Sequence, residues 1–446
     1  MVSRLSLAVL LCLTAFTPAW ARYDLVSLYR LALERDAQYL AARHGAEGGR
    51  EQLHQAKAAL LPQLSANLGI SLSDTEQKTK DILNREVTRQ YDYTAESAAL
   101  SLRQALYRPA SLAQLRQAKA KVEGLEAQLE KERLALAMRL VTAYFEALST
   151  RERLASLKAE QQAYAAQLEA AERAFRAGLG TRTDVDDARA RLDLAQAREI
   201  EVRQALEVAQ RALSALVDEP VDVWALRGLK PGGAELNLPQ PHDLQAWVRL
   251  AEENNPELRA WRSALAAAEQ EVSKNRAGHL PTLDLVASSS LSDSESESMI
   301  GSRYRTHRIG VQLTLPLYAG GYVEASIRQS VAMRESTRQQ MEAARRQLGV
   351  EVARAYAAVT QGVAKVKALE AALQSAQQAV RSTQKGLQAG TRSRVDVLNA
   401  LQQEEAIRYE LYRARIDYVL GHLRLAQASG RLDEDTLRQF DAWLQP

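Results

Sequence analysis

The feature that most constrains the fold is an internal duplication. Segment 58–64, AALLPQL, returns as 277–283, AGHLPTL, and segment 177–185, AGLGTRTDV, returns as 389–397, AGTRSRVDV. Further matched pairs keep the same order, so the two halves should fold as copies of one plan. The predicted segments are a signal peptide at 1–21, a first structural repeat at 22–217, a connector at 218–241, a second repeat at 242–429 and a C-terminal segment at 430–446.

Residues 1–21 are organised as a secretory signal peptide. Arg4 precedes the apolar stretch 5–16, and Ala19-Trp20-Ala21 forms a cleavage site of the A-x-A type. An uncleaved anchor helix is the alternative, but the apolar stretch is shorter than the ~20 residues that span a bilayer. Cys12 is the only cysteine, so cleavage would leave a mature chain with neither a disulfide nor a thiolate metal site. We therefore expect export to the periplasm or beyond.

Charge and residue types argue against several classes of function. The 58 Lys and Arg residues are interleaved with 55 Asp and Glu residues, which predicts no nucleic-acid partner. The 6 His residues show no ligand spacing, and no phosphate-binding loop or dinucleotide fingerprint is present. We therefore expect no catalytic residue, no metal and no cofactor, and hence no enzyme. Only 4 Phe residues occur, which favours slender packing of Ala- and Leu-rich helices over a large aromatic core.

Most of each half has helical periodicity. A helix of about 36 residues, at 24–57 and again at 242–277, should end at Leu-Pro, because the residue before proline is disfavoured in helical geometry. Long runs with heptad spacing follow at about 111–176 and 323–388, and ~66 residues make a helix of roughly 100 Å. A glycine turn then reverses the chain into a return helix of about 35 residues.

Four segments between these helices alternate as strands do. The first places Leu64, Leu68 and Leu72 on one face and small polar residues on the other, and the fourth alternates in the same way from Ile309 to Leu315. The second segment changes its alternation, which predicts a bulge near Ser97. Each segment is close to the roughly 9 to 11 residues of a membrane-crossing strand. Polar loops are expected at 74–89 and 292–303.

A soluble sheet with one wet face would show the same alternation. A membrane is favoured by the polar loops and by Tyr107 and Tyr318, which occupy matching positions suited to an interfacial aromatic belt. Four strands cannot close a barrel, and lipid does not tolerate open strand edges. Eight strands enclose no aqueous bore, so three chains are the smallest closed set with one. The predicted fold is an α+β membrane protein, a trimeric twelve-stranded outer-membrane β-barrel continued by a long periplasmic α-helical barrel.

The Leu-Pro before the first strand of each half, the A-G-x-x-T-x-x-D-V type turns and the duplication resemble the TolC family of outer-membrane channels. The resemblance implies a homotrimer that is the exit duct of a tripartite efflux pump or type I secretion system. Its implied partners are a periplasmic adaptor, an inner-membrane transporter and outer-membrane lipid, and the cargo stays open between drugs, metals and secreted proteins. It also implies a mixed belt formed by the connector and the C-terminal segment. A soluble periplasmic coiled-coil scaffold or adaptor is the alternative, but it leaves the strands unexplained.

The resemblance further implies a gate at the periplasmic end, where the helix turns converge. Its gate positions are Asp396, Asn399, Asp184, Arg392 and Thr183, and its adaptor-docking tips are Gly178, Leu179, Gly180, Gly390 and Thr391. Asp396 matches a carboxylate that rings the pore, whereas Asn399 replaces a second ring carboxylate, so the ring charge is weaker. Without the resemblance, the two aspartates are first-turn carboxylates that stabilise helix N-termini, and any helical hairpin needs turn glycines.

Overall fold

Each half of the sequence folds as two short helices, two strands and two long helices. The computed structural model describes residues 24–230, 236–296 and 299–445, so the predicted signal peptide lies outside the described residues. The first half comprises α1 (Leu25–Arg35), α2 (Ala37–Ala58), β1 (Gln63–Lys80), β2 (Glu86–Tyr107), α3 (Pro109–Arg176) and α4 (Arg182–Val217). The second comprises α5 (Leu244–Asn254), α6 (Pro256–Arg276), β3 (Thr282–Ser296), β4 (Met299–Thr314), α7 (Tyr322–Gln388) and α8 (Arg394–Ala428), and α9 (Glu434–Asp441) follows. The predicted α+β class is confirmed.

The helix predicted at the start of each half is broken once. Asp36 leaves helical geometry between α1 and α2, and its carboxylate accepts the Tyr39 N–H at 2.8 Å and pairs with Arg139 at 3.1 Å. Asn255 does the same between α5 and α6, because Pro256 follows it and disfavours the α conformation. Each break therefore starts a new capped helix. No helix in the described part carries an apolar stretch long enough to cross a membrane.

The four strands form one antiparallel sheet in the order β1-β2-β3-β4. They are longer than predicted, with 18, 22, 15 and 16 residues, because the segments expected as polar loops continue the pairing beyond the apolar runs. The predicted bulge near Ser97 is wrong, since β1 and β2 pair without interruption from Gln63 opposite Arg103 to Lys80 opposite Glu86. The register shift lies between Ala105 and Tyr107, where β2 pairs with β3.

The chain separates into two compact units, and each contains parts of both sequence halves. Unit 1 comprises the described residues within Met1–Leu40, Arg133–Ala251 and Glu351–Pro446, and unit 2 comprises Ala41–Glu132 and Glu252–Val350. Unit 2 holds the whole sheet. Unit 1 holds both glycine turns and a large apolar core, which includes the fully buried side chains of Tyr29, Leu140, Tyr144, Phe145, Leu148, Leu213 and Leu423.

Within unit 1 the connector pairs with the C-terminal segment. Leu229 and Leu444 form an antiparallel bridge, and the Gln445 N–H donates to the Gly228 carbonyl at 2.7 Å. Arg151 of α3 fixes the connector by donating to the carbonyls of Val223 and Leu226 at 3.0 and 2.9 Å. These bonds satisfy backbone groups that the irregular connector would otherwise leave unpaired.

Candidate functional site

One face of the sheet is apolar and exposed. It consists of the even-numbered residues of β1 and β2, up to Gln104, and the odd-numbered residues of β3 and β4, and we call it the apolar face. Leu68 is 84% exposed there, and one row across the four strands reads Leu64, Leu102, Ala287, Ile309. A soluble monomer rarely exposes a continuous apolar surface of this kind, which points to lipid or to another protein as its cover.

The opposite face, here the serine-rich face, consists mostly of small uncharged side chains, with larger ones such as Tyr93, Tyr304 and Arg308 among them. Its rows read Ser65, Ser101, Ser288, Arg308 and then Asn67, Ala99, Ser290, Thr306. Hydroxyl and amide groups of this size can exchange hydrogen bonds with water at every row. The sheet therefore separates a surface suited to lipid from one suited to an aqueous space.

The apolar run crosses the sheet obliquely. On β1 it extends from Leu64 to Leu72, whereas on β4 it begins at Ile309, which lies in the same row as Leu64, and continues away from the hairpin tips. On the two middle strands the apolar run ends at Glu96 of β2 and Asp293 of β3. These two residues lie in one row, between the rows where the run ends on β1 and begins on β4. Strands that are tilted in a bilayer produce this offset, because a band parallel to the membrane then cuts each strand at a different residue.

Charged residues that sequence reasoning missed lie at the helix end of the sheet. The Asp284 carboxylate, 2% exposed, accepts hydrogen bonds from Arg103 at 2.6 Å and from Arg108 at 2.9 Å. These bonds tie β3 to β2 and to the segment in which β2 becomes α3. The partners are about 180 positions apart in the sequence, so no local pattern could have indicated them.

Tyrosines lie near this end of the apolar run. Tyr107 ends β2 and pairs with Leu283, so the register shift after Ala105 turns it onto the apolar face. Tyr318, 88% exposed, lies beyond the end of β4 rather than within the strand, and Tyr322 at the start of α7 is also exposed. Sequence analysis missed Tyr322, although it stands close to Tyr318.

The first glycine turn presents one apolar side chain. Gly178 has a φ of +70°, which the turn requires, and Leu179 beside it is 85% exposed. Thr181 then caps α4: its N–H donates to the Asp184 carboxylate at 3.0 Å, and the Asp184 N–H donates to the Thr181 hydroxyl at 3.1 Å. Hydrogen bonds from the Thr181 hydroxyl and backbone lower the pKa of Asp184.

The second glycine turn repeats this arrangement. Gly390 has a φ of +75°, and Ser393 and Asp396 exchange the reciprocal bonds at 2.9 and 3.1 Å. Hydrogen bonds from the Ser393 backbone and hydroxyl lower the pKa of Asp396, with a smaller contribution from the Arg392 charge. Arg392 itself packs against Gly386, where an added Cβ would lie 2.7 Å from its Cγ. Both predicted gate aspartates are thus helix-capping carboxylates.

Within the described part of the chain, Asn399 is the one predicted gate residue whose side chain bonds to the other helical hairpin. Its side-chain oxygen accepts from Arg191 of α4 at 3.1 Å, and Arg191 also binds Asp187 at 3.1 Å. Beside this bond, Tyr164, Ala195 and Leu398 form a small buried cluster that joins α3, α4 and α8.

Tyr164 is buried in this cluster beside the Arg191 bond, and this burial, together with the neighbouring Glu160 carboxylate, raises its pKa to about 12. Asp184 and Arg392, two of the predicted gate residues, are not joined to each other by a hydrogen bond or ion pair among the described residues. Thr183 lies exposed in the first turn of α4. No group of three or more His, Cys, Asp or Glu residues positioned to hold a metal occurs in the described ranges.

Comparison with known proteins identifies relatives along nearly the whole chain. The family described as "Outer membrane efflux protein" matches residues 28–218 and 247–431. Alkaline protease secretion protein AprF of Pseudomonas aeruginosa is 35% identical over 92% of this chain and 85% of its own length. Outer membrane protein TolC of Vibrio cholerae is 30% identical over 97% of this chain and 96% of its own. The solved structure of the outer-membrane channel OprN, 19% identical, superposes with a TM-score of 0.77 over 91% of this chain and 89% of that one.

Proposed function

The chain belongs to the outer membrane efflux protein family, and on that premise we propose that three copies of it close one continuous duct. Membership confirms the predicted resemblance, the outer-membrane location and the function as an exit duct for efflux or type I secretion. The family is one of transport channels rather than enzymes.

The exposed apolar face on an open four-stranded sheet carries the proposal of a trimer. A single sheet would leave the N–H and C=O groups of β1 and β4 unpaired in lipid, at a cost of several kcal/mol for each group. Closure onto copies of the same chain pairs every edge. Eight strands would fill their interior with side chains, whereas twelve strands from three chains leave an aqueous bore lined by the serine-rich face.

We propose that the glycine turns form the periplasmic end of this duct and contact a periplasmic adaptor, which connects it to an inner-membrane transporter. The exposed Leu179 supports this role for the tips, together with Gly178, Gly180, Gly390 and Thr391. The gate would consist of Asp396, Asn399, Asp184, Arg392 and Thr183. The bond from Arg191 to Asn399 supports this assignment, because separation of α4 from α8 requires breaking it.

We propose further that the cargo is a secreted protein. AprF, a relative of 35% identity, is named for alkaline protease secretion. The serine-rich face agrees with this cargo, since an extended polypeptide passes most easily along a wall of mostly small uncharged groups that bind no segment strongly.

Two measurements test the proposed function. The mature chain should fractionate with outer membrane and migrate on a denaturing gel as a trimer that dissociates on heating. A water-soluble monomer or dimer would support the coiled-coil scaffold instead. The cargo is tested in cells whose protease secretion system lacks its own outer-membrane component: restored secretion to the medium supports protein cargo. Correct trimers that restore only resistance to small toxic compounds would contradict it.

A further inference from the structure

Edge strand β1 carries carboxylates directly beyond its apolar run. On the apolar face Leu72 is followed by Asp74 and then Glu76, both exposed. Asp74 accepts one hydrogen bond from Gln90 at 3.1 Å, and Glu76 pairs with Lys78 of its own strand at 3.0 Å with both side chains more than half exposed. Such exposed pairs contribute little free energy, so both carboxylates can accept further bonds toward the open edge.

Edge strand β4 carries cations at the corresponding place. On the apolar face Ile309 is preceded by His307, Arg305 and Arg303, all exposed. The Arg303 guanidinium is held by Asp293 of the neighbouring β3 at 2.7 Å. Arg305, in contrast, forms no ion pair with any described residue. The open edge of β4 therefore presents a guanidinium with unused donors.

The register of β4 against β1 of the next copy follows from the tilt of the strands. A line perpendicular to the strands passes from Leu64 to Ile309. Twelve strands tilted by about 45°, spaced ~4.8 Å apart with ~3.3 Å per residue, need a total stagger of about 18 residues, or about six per copy. The position six residues before Leu64 lies in α2 and cannot pair with β4. The line must therefore continue at Ile70, six residues after Leu64.

We propose that neighbouring copies join with Ile309 of β4 opposite Ile70 of β1, and that Arg305 of one copy forms an ion pair with Asp74 of the next. Arg303 then lies opposite Glu76, and Val311 lies opposite Leu68. The register continues the apolar face across the junction with an offset of only one row, since Leu72 of β1 lies opposite His307 of β4. At its boundary, opposite charges lie directly across the junction from each other, a placement in which cross-strand pairs stabilise a sheet. This subunit seam rests on the trimer of the proposed function.

Disulfide cross-linking tests the register. The only cysteine, Cys12, lies in the predicted signal peptide, so introduced pairs are unambiguous. After oxidation, the double variant with Arg305→Cys and Asp74→Cys should migrate as a covalent trimer on a denaturing gel run without reducing agent. The control Arg308→Cys with Asp74→Cys places the thiols on opposite faces and should stay monomeric after heating. Stronger cross-linking of Arg305→Cys to Glu76→Cys than to Asp74→Cys would overturn the register.

A charge exchange tests the ion pair. Arg305→Glu should lower by several degrees the temperature at which unheated trimers dissociate in detergent, because like charges then face each other across the seam. The added change Asp74→Arg should restore it, whereas the serine-rich-face control Arg308→Glu should leave it unchanged. An unchanged temperature for Arg305→Glu, or a loss that Asp74→Arg does not restore, overturns the pair. A wild-type chain without trimers would instead overturn the proposed function.

Discussion

The sheet of unit 2 and the glycine turns of unit 1 differ in how many of their polar groups and apolar surfaces find partners within one chain. The sheet exposes Leu68 and its neighbours on the apolar face and leaves two strand edges open, which lipid and the further copies of the proposed trimer would cover. At the turns, Asp184 and Asp396 are already satisfied as capping carboxylates within their own helices. A role in membrane insertion can thus be derived from one chain, whereas a gating role needs evidence on the assembly.

The largest expected effect concerns the apolar face. An arginine on the lipid-facing surface of a barrel costs about 2–4 kcal/mol at the bilayer midplane. Leu68→Arg should therefore abolish the heat-dissociable trimer in the outer-membrane fraction. Asn67→Arg, one residue earlier on the serine-rich face, should assemble normally. If the two variants assembled equally, the two faces would have been assigned wrongly.

The second-largest expected effect concerns the ion pairs of Asp284 with Arg103 and Arg108 at the helix end of the sheet. Asp284→Ala leaves Arg103 and Arg108 without their shared carboxylate, and because both arginines are partly exposed we expect a loss of about 1–3 kcal/mol. Asp293→Ala on the same strand removes an exposed pair and should cost under about 1 kcal/mol. Thermal unfolding in detergent, followed by circular dichroism, measures both. Equal losses would show that burial of Asp284 carries no extra stability.

Sequence reasoning succeeded for the sheet where the chemistry alternates locally. The run from Leu64 to Leu72 indicated β1 correctly, because one face must avoid water along its whole length. Strand lengths were underestimated, since the polar continuations to Lys80 and from Glu86 have no apolar signal and are held by the partner strand alone. The bulge was misplaced because a change of alternation shows that the two faces differ in polarity and does not show where the register shifts.

A pH effect is expected in unit 1 from His422. Its ring is partly buried among Tyr418, Phe440 and Trp443, and desolvation lowers its pKa from the ordinary 6.5, although a bond to the Asn237 backbone opposes the shift. The unfolded chain then binds a proton on His422 more readily than the folded chain does. The contribution of His422 to stability is therefore complete above pH 6.5 and decreases as pH falls toward the folded pKa.

The slope from this one group is at most about 1.4 kcal/mol per pH unit. Unfolding midpoints in urea between pH 7 and pH 5 should therefore fall less for His422→Gln than for the parent chain. His54→Gln, an exposed histidine of α2, should keep the parent slope. A His422→Gln profile parallel to that of the parent would remove His422 as the source.

At the glycine turns, the bond from Arg191 to Asn399 is expected to hold α4 against α8 in the closed duct. Arg191→Gln should raise single-channel conductance and sensitise cells to a large hydrophilic antibiotic, because a charged hydrogen bond of roughly 1–2 kcal/mol is lost. Arg189→Gln is the matched control, since Arg189 binds Glu172 within its own hairpin at 3.0 Å. Increases of the same size in both variants would point to general loosening of the helices.

This link shows why the gate was only partly accessible to sequence reasoning. Asn399 was named as a gate position from a family resemblance, but its partner Arg191 lies 208 positions away and belongs to no motif. The capping boxes could have been found, because Thr181 and Ser393 each precede their aspartate by three residues. What a local pattern cannot supply is the pairing of helices, which depends on packing between distant segments.

Two variants separate the charge of Asp396 from its helix-capping role. Their expected effect on stability is the smallest, and their expected effect on conduction is the most specific. Asp396→Asn keeps an acceptor for the Ser393 N–H but removes the negative charge, so block of single-channel current by divalent and trivalent cations should weaken. Ser393→Ala removes the capping hydroxyl and keeps the charge, so block should persist while the helix loses about 1 kcal/mol. Because hydrogen bonding lowers the pKa of Asp396, block by the parent channel should survive to a lower pH than an ordinary aspartate allows. Undiminished block in Asp396→Asn would leave Asp396 as a helix cap and place the cation site elsewhere.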